Sequence, residues 1–146
     1  MNKNSLKLVK DFRSIREKKL AKEVASIYQK LISKEEELNL LLQKRKELID
    51  LQRQLQEGEI DLYSLESISI QLLYVETKIE SVRSELFEIK KEYEERLNQL
   101  IEASKQKKLI EKLIERWEKK QEYEMSKKEQ KFFDEISNNR FAYENV

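Results

Sequence analysis

Apolar residues at alternating steps of three and four run through most of this chain, and they limit its fold more than any other feature. In the second half, fourteen of sixteen successive positions with this spacing are apolar. These positions are Leu65, Ile68, Leu72, Val75, Ile79, Val82, Leu86, Ile89, Tyr93, Arg96, Leu100, Ala103, Lys107, Ile110, Ile114 and Trp117. In the first half, eight of eleven positions are apolar. They are Leu20, Val24, Ile27, Leu31, Lys34, Leu38, Leu41, Arg45, Leu48, Gln52 and Leu55. A sustained repeat of about 3.5 residues is typical of a helix that packs along a partner helix in a coiled coil.

One stretch, residues 56–61, separates the two halves. It contains Gly58, the only glycine of a chain that has no proline. Glycine adopts the left-handed conformation that ends many helices at no steric cost. Asp61 can accept a hydrogen bond from a free backbone N–H at the start of the next helix. We therefore predict a bend here, with Gly58 in the left-handed conformation and Asp61 as a helix cap.

These observations predict an all-α fold, namely a long two-helix antiparallel coiled-coil hairpin that forms a single domain. The first helix is expected at about 5–57, the bend at 57–61 and the second, longer helix at about 62–138. Asn4 or Ser5 is expected to cap the first helix, and Asn138-Asn139 to end the second. Upstream of the main repeat, Leu6, Val9, Phe12 and Ile15 suggest a looser apolar stripe.

The position of the bend predicts that the second helix extends beyond the first. A fold-back at Gly58 places residue i opposite about residue 118 − i, so Leu6 faces about Lys112. The second helix then overhangs by about 25 residues, or ~38 Å at 1.5 Å per residue. Its large apolar side chains are Trp117, Tyr123, Met125, Phe132, Phe133 and Ile136. We expect such a helix to be covered in its working complex, either by another copy of the chain or by a different protein.

A second group of apolar residues lies off the main repeat, near the bend. Its members are Leu40, Leu42, Ile49 and Leu51 in the first helix and Ile70, Leu73 and Tyr74 in the second. A two-helix hairpin needs one apolar stripe for each helix, so these residues are expected to form an outward surface. That surface could bind a partner or a second copy of the chain.

Charge is unevenly distributed along a chain whose charged fraction is 40% and whose net charge is +1. Residues 1–34 hold ten Lys and Arg against three Asp and Glu, whereas residues 35–102 hold nine against seventeen. In a hairpin, the open end would be basic and the bend acidic. Nucleic-acid binding is not expected, because the acidic middle would repel phosphates and no base-reading motif is present. The basic end suits an acidic protein surface equally well.

The residues needed for most kinds of catalysis are missing. The chain has no His and no Cys, so it lacks the common general bases, thiolate nucleophiles and zinc ligands. One glycine cannot build a phosphate-binding loop. No apolar run approaches the roughly 20 residues of a membrane-spanning helix. We therefore predict a non-enzymatic protein without a cofactor, metal site or membrane span.

The C-terminal third contains a more specific pattern. Residues 128–136 read KEQKFFDEI and are followed by Arg140-Phe141, and residues 113–117 read LIERW. Together with the early Phe12-Arg13 and Arg16-Glu17 pairs, this pattern resembles the FliJ family of flagellar export proteins. Chain length, the single glycine bend and the longer second helix are similar to that family as well.

The resemblance implies a stalk protein of the bacterial flagellar type III export apparatus. FliJ-like proteins are soluble and act in the cytoplasm, at the inner face of the cell membrane, where they associate with the membrane only through partners. Their open end, which carries both termini, is thought to insert into the hexameric ring of the export ATPase. Their other partners are the cytoplasmic part of the membrane export gate and escort chaperones.

The resemblance also suggests which residues bind these partners. The expected ATPase-ring contacts are Phe12, Arg13, Arg16, Arg116, Trp117, Gln130, Asp134, Glu135, Arg140 and Phe141. The off-repeat surface suggests export-gate or partner contacts at Leu42, Ile49, Ile70, Leu73 and Tyr74. A weak homo-oligomer through the same surface is an alternative. Two other functions remain open at this point, a stalk of the related injectisome and a tethering coiled coil without a motor partner.

Overall fold

Two long helices contain nearly all of the residues described by the computed structural model, which are 2–59 and 61–144. Helix α1 is Lys3–Glu57 and helix α2 is Leu62–Glu144. No strand occurs within these described ranges. The fold is therefore the predicted all-α hairpin with a bend between 56 and 61 and a longer second helix. Ile60, inside the predicted bend, lies outside the described residues.

Helix α1 begins earlier than the sequence predicts. Asn2 is its cap, because the Ser5 amide donates to Asn2 Oδ1 at 2.8 Å and the Leu6 amide donates to the Asn2 carbonyl at 3.2 Å. The prediction of Asn4 or Ser5 as the cap is wrong. Asn2 offers the same side-chain acceptor, so the helix begins at Lys3, and Leu6 in its first turns is buried.

The bend differs from its prediction in one respect. Gly58 does not have a positive φ, so the predicted left-handed conformation is wrong. Helix α1 ends at Glu57 and α2 begins at Leu62, and none of the described residues between them has a positive φ. A Cβ added at Gly58 would have no atom within 4 Å. The backbone here therefore has no need of glycine.

Asp61 caps α2 as predicted. Its Oδ1 accepts the Tyr63 amide at 3.0 Å, and its Oδ2 accepts the Ser64 hydroxyl at 2.7 Å. These hydrogen bonds favour the charged form of the Asp61 carboxyl and so hold its pKa below the ordinary value. The hydrogen bond from the Ser64 hydroxyl has the largest effect.

Helix α2 continues through Asn138 and Asn139 to Glu144. The predicted stop at 138 is therefore wrong. Asparagine is a weak helix former, but each one costs only about 0.7 kcal/mol relative to alanine. Without a glycine or proline after it, the pair does not end the helix.

The chain forms two compact units. The bend unit is Lys19–Leu100, and the terminal unit combines Met1–Lys18 with Ile101–Val146. In the bend unit, α1 and α2 bury Leu20, Ile27, Leu48, Ile68, Val75, Ile79, Val82 and Leu86. All positions of the 3–4 repeat that fall in this unit are buried or half-buried. We call this contact line between the helices the seam.

The helices of the bend unit meet close to the predicted register. The facing rule pairs residue 34 with about 84, and Lys34 forms an ion pair with Glu85. It pairs residue 23 with about 95, and Arg96 Nη1 lies 3.2 Å from Glu23 Oε2. Polar side chains thus fill some seam positions and pair with the opposite helix.

In the terminal unit, the seam contains a mixture of apolar and charged residues. Leu6, Ala103 and Ile110 are buried. Arg13 Nη1 donates to the Gln106 carbonyl at 2.8 Å, and Glu17 Oε1 lies 3.6 Å from Lys107 Nζ. The charged residues Arg13 and Glu17 therefore occupy seam positions of α1. They lie four residues apart, and Glu17 precedes the seam residue Leu20 by three.

The predicted upstream stripe is wrong at two of its four positions. Leu6 is buried and Val9 half-buried, but Phe12 and Ile15 are exposed. Steps of three residues advance by 300°, so each step lags a full turn by 60°. After two such steps, Phe12 has left the face that Leu6 occupies.

Candidate functional site

The second helix has an end that α1 does not cover. Trp117 is the last half-buried residue of α2, and every residue at positions 118–142 is exposed. The nearby start of α1 is marked by Lys3, whose Nζ lies 3.9 Å from Glu118 Oε1. We call residues 118–142 the overhang.

Large apolar side chains are distributed along the overhang. They are Tyr123, Met125, Phe132, Phe133, Ile136 and Phe141, and all are exposed. Phe132 and Phe133 are 60% and 66% exposed, with ring centroids 6.2 Å apart in an edge-on arrangement. Lys127 Nζ lies 4.8 Å from the centroid of the Tyr123 ring. These internal contacts leave most of the apolar area accessible.

Three of these residues continue the face that α2 uses in the seam. Met125 follows Ile114 by eleven residues, which is close to three helical turns. Phe132 and Ile136 follow at steps of seven and four. Beyond Trp117, apolar residues thus return to the direction of Ile114 only at Met125, Phe132 and Ile136, while the strict 3–4 spacing of the seam falls on polar residues such as Gln121 and Lys128.

The proposed polar contacts of this end are accessible. Gln130, Asp134, Glu135 and Arg140 are all exposed on the overhang. Phe141 is 68% exposed. At about 100° per residue, Glu135 and Arg140 flank the direction of Phe132 and Ile136, whereas Gln130 and Asp134 lie on the opposite side of the helix.

A shallow groove lies where α1 begins. It has a volume of about 280 Å³ and is lined by Leu6, Leu113, Arg116, Trp117 and Lys120. Trp117 is half-buried and Arg116 is exposed at its rim. Sequence reasoning did not identify Lys120, although its position four residues after Arg116 places the two cations on one face of α2.

The proposed contacts of α1 are divided between the seam and the surface. Phe12 and Arg16 are exposed. Arg13 is half-buried, and its hydrogen bond to the Gln106 carbonyl holds it in the seam. Phe12 and Arg16 are therefore presented outward, whereas Arg13 links the two helices.

A second groove lies in the bend unit. Its volume is about 500 Å³, and its lining residues are Leu41, Lys44, Leu48, Ile70, Gln71, Tyr74 and Val75. Ile70 and Tyr74 are exposed at its edge, above the buried Leu48 and Val75. Two residues of the predicted partner surface thus lie at an apolar groove, and Lys44 was not predicted from the sequence.

The remaining members of that predicted surface are arranged differently. Leu73 is exposed, but Leu42 and Ile49 are half-buried. Leu42 packs against the core cluster of Leu48, Val75 and Ile79. The first-helix part of the predicted outward stripe therefore belongs partly to the core, because a side chain next to the seam packs over its edge.

Lys34 is the most strongly paired cation of the seam. Its ammonium group contacts the carboxylates of Glu85 and Glu37. Hydrogen bonds to these two carboxylates raise the pKa of Lys34 above its ordinary value, and the one to Glu85 has the largest effect. This arrangement links α1 and α2 beside a groove of about 350 Å³ that is lined by Gln29, Lys30, Ser33, Lys34 and Ile89.

The described residues contain no group of three or more acidic, His or Cys side chains that could hold a metal ion. Neither helix, as far as it is described, has an apolar stretch long enough to cross a membrane.

Comparison with known proteins gives one result. The family model described as the flagellar FliJ protein matches residues 2–145. No curated protein and no solved structure matches the chain. Because the family match covers nearly the whole chain, this protein belongs to the FliJ family, whose members are structural parts of the flagellar export apparatus and not enzymes.

Proposed function

We propose that this protein is the coiled-coil stalk of a flagellar type III export apparatus and that it binds the hexameric ring of the export ATPase. One observation carries this proposal. Helix α2 continues as an exposed helix over residues 118–142, and its large apolar side chains there, among them Phe132 and Phe133, are uncovered. An exposed apolar face of this extent on a charged helix indicates a protein interface.

The composition of the overhang suits a ring interior. Its apolar side chains supply area, and the exposed Gln130, Asp134, Glu135 and Arg140 supply polar contacts around it. Interfaces of this kind gain most of their binding energy from a few aromatic and arginine anchors. Phe132, Phe133 and Phe141 are the proposed anchors, with Arg116 and Trp117 at the groove near Leu6.

The contribution of α1 to ring binding is proposed to come from Phe12 and Arg16, which are exposed. Arg13 acts indirectly by holding α1 to α2 through the Gln106 carbonyl. The terminal unit has seventeen Lys and Arg against twelve Asp and Glu. This positive balance would steer it toward an acidic cavity.

The groove of the bend unit is the proposed contact for the export gate. Ile70 and Tyr74 border it, and Leu73 lies on the neighbouring exposed surface. Escort chaperones are a further proposed partner of the same protein. The proposed location is the cytoplasm, at the inner face of the membrane, reached through these partners.

Truncation after Glu118 tests the ring proposal. We expect the shortened chain to keep its hairpin, measured by circular dichroism, and to lose stimulation of the partner ATPase. The control is Phe87→Ser, which changes an equally exposed aromatic residue of the bend unit. Full stimulation by the truncated chain would overturn the proposal.

A separate experiment tests the gate proposal. Replacing Ile70, Leu73 and Tyr74 together with serine should weaken binding to the cytoplasmic part of the gate at least tenfold, because the apolar border of the groove is removed. ATPase stimulation should remain at the parental level. Unchanged gate binding would show that this groove serves another purpose.

An alternative role as a tethering coiled coil without a motor partner makes a different prediction. In that case the full-length protein would fail to bind the ATPase hexamer in a pull-down with purified components. The family match favours the export apparatus over this alternative.

A further inference from the structure

The first helix has an exposed apolar stripe that neither the seam nor the overhang explains. Leu8, Phe12 and Ile15 are 72%, 68% and 67% exposed. Their steps of four and three residues place them on one face of α1. Arg13 and Glu17 are in the seam on the other side, since they contact Gln106 and Lys107 of α2.

The stripe faces away from α2. Ile15 follows the seam residue Arg13 by two positions, which is a rotation of about 200° around the helix. Helix α1 therefore has two apolar faces in the terminal unit, one packed on α2 and one uncovered. The uncovered face uses the same 4–3 spacing as the seam, which is the spacing that packs against another helix.

The charge around the stripe is positive. Lys7, Arg16 and Lys18 surround it, with Asp11 as the nearby acid. Among the described residues, those three cations form no ion pair with the rest of the chain. A partner with acidic side chains at its edges would pair with them.

Two other occupants fit less well. A second copy of α1 would bring the same cations together, and like charges across an interface are unfavourable. A membrane surface would favour a longer apolar face, whereas Leu8 to Ile15 spans only ~10 Å along the helix. Lys19 occupies the next position of the spacing and ends the stripe.

We propose that Leu8, Phe12 and Ile15 form a docking face for an amphipathic helix of another protein, one whose apolar stripe is flanked by acidic residues. That helix packs on α1 opposite α2, as a third helix of the terminal unit. The face is separate from the overhang and shares Phe12 and the flanking Arg16 with the ring contacts proposed above, while Leu8 and Ile15 belong to the face alone. It therefore does not depend on the ring proposal.

A designed peptide of three heptads tests the face directly. The probe has leucine at both apolar positions of each heptad and glutamate at the flanking positions, and it bears a fluorescent label. Anisotropy titration with the full-length protein should give saturable binding that weakens at 0.5 M salt, because the flanking pairs are screened (Debye length ~4 Å). A matched peptide with lysine in place of glutamate should bind at least tenfold more weakly.

Paired variants locate the binding. Leu8→Ser combined with Ile15→Ser should weaken binding of the glutamate peptide at least tenfold. Both positions lie outside the proposed ring contacts. Phe87→Ser, in the bend unit, should bind as the parent does. Circular dichroism of the variants shows whether α1 stays helical, and Phe12→Ser provides a second variant if the pair does not fold. Equal binding by the parent and a folded stripe variant would overturn the proposal.

The remaining outcomes are also decisive. Stripe-dependent dimers in sedimentation velocity, or stripe-dependent binding to phosphatidylglycerol vesicles, would overturn the proposal in favour of those occupants. The chain truncated after Glu118 should still bind the glutamate peptide, because it retains all of the stripe. Failure of the ring proposal and failure of this one are thus distinguishable.

Discussion

At the scale of single residues, the bend depends on Asp61 more than on Gly58. Asp61 accepts hydrogen bonds from the Tyr63 amide in the first turn of α2 and from the Ser64 hydroxyl. Gly58 has neither a positive φ nor a close neighbour that would exclude a Cβ. We therefore expect Gly58, the single glycine of the sequence, to be replaceable. Asp61, three positions later, fixes the start of α2.

Asp61→Ala should lower the melting temperature at pH 7 by a few degrees, since the N-terminal amides of α2 lose their acceptor. The folded-state pKa of Asp61 is lowered, so its stabilising contribution is present above the ordinary carboxyl pKa and is lost as pH falls through the folded value. Thermal scans between pH 7 and pH 2 should therefore converge for parent and variant at the acid end. Asp61→Asn, which keeps an acceptor, should lie closer to the parent at pH 7. A constant difference at every pH would contradict the assigned cause.

Gly58→Ala should be tolerated. Alanine adds no clash at this position and restricts the unfolded chain, which stabilises a protein by about 0.4–1 kcal/mol where the native conformation allows it. Urea unfolding followed by circular dichroism measures the change. A loss of more than 1 kcal/mol would mean that the bend requires a conformation that only glycine adopts.

At the scale of the elements, the helices are stabilised by a thin seam. The two-helix contact has one layer of buried side chains, so each core residue contributes a large share. Most helical stability in proteins comes from such packing and not from the propensity of the isolated helix. The charged seam positions add specificity of register at some cost in stability.

Ile79→Ala should destabilise the bend unit by about 2–4 kcal/mol, because the side chain is 2% exposed and its removal leaves a cavity between the helices. Phe87→Ala is the matched control, since Phe87 is on the same helix but 68% exposed, and it should change stability by less than about 0.5 kcal/mol. Chemical unfolding of both variants provides the measurement. Similar losses for the two would contradict the described seam.

Lys34→Leu should raise the melting temperature, because an apolar side chain fills the seam and the freed Glu37 and Glu85 carboxylates can turn to water. The pKa of Lys34 is raised in the folded protein, so its contribution is complete below the ordinary lysine pKa and is lost as pH rises through the folded value. The advantage of the variant should therefore grow in alkaline solution. Lys46→Leu, at an exposed position of the same helix, is the control and should give no increase. Destabilisation by Lys34→Leu would show that the ion pairs exceed the gain from apolar packing.

At the scale of the whole molecule, stability and the proposed partner binding depend on different residues. The buried side chains end at Ile110, while the exposed apolar surface continues through the overhang. Residues 118–142 thus add accessible surface without adding to the core of the free protein.

Truncation after Glu118 should consequently leave the melting temperature within about 2 °C of the parental value, while the total helical signal falls with the number of residues removed. Deleting residues 3–9 provides the contrasting variant, since it removes the buried Leu6 and should lower the melting temperature. Calorimetry distinguishes the two. A large drop on truncation would show that the overhang packs elsewhere in the free protein.

The sequence by itself determined the two helices, the bend and the seam. Its alternating 3–4 spacing is set by the geometry of helices in contact, so positions such as Lys34 and Arg96 could be placed in the seam even though they are charged. Membership of the FliJ family could likewise be inferred from the C-terminal pattern and is shown by the family match.

Only the tertiary structure decided which side chains outside that repeat are covered. Phe12 and Ile15 were expected in a stripe but are exposed, whereas Leu42 is half-buried at the edge of the seam. Helix ends and the conformation of Gly58 also differed from expectation. The reason is that the repeat records only the residues facing the partner helix, while coverage of every other residue depends on where α1 begins and how far α2 continues beyond it.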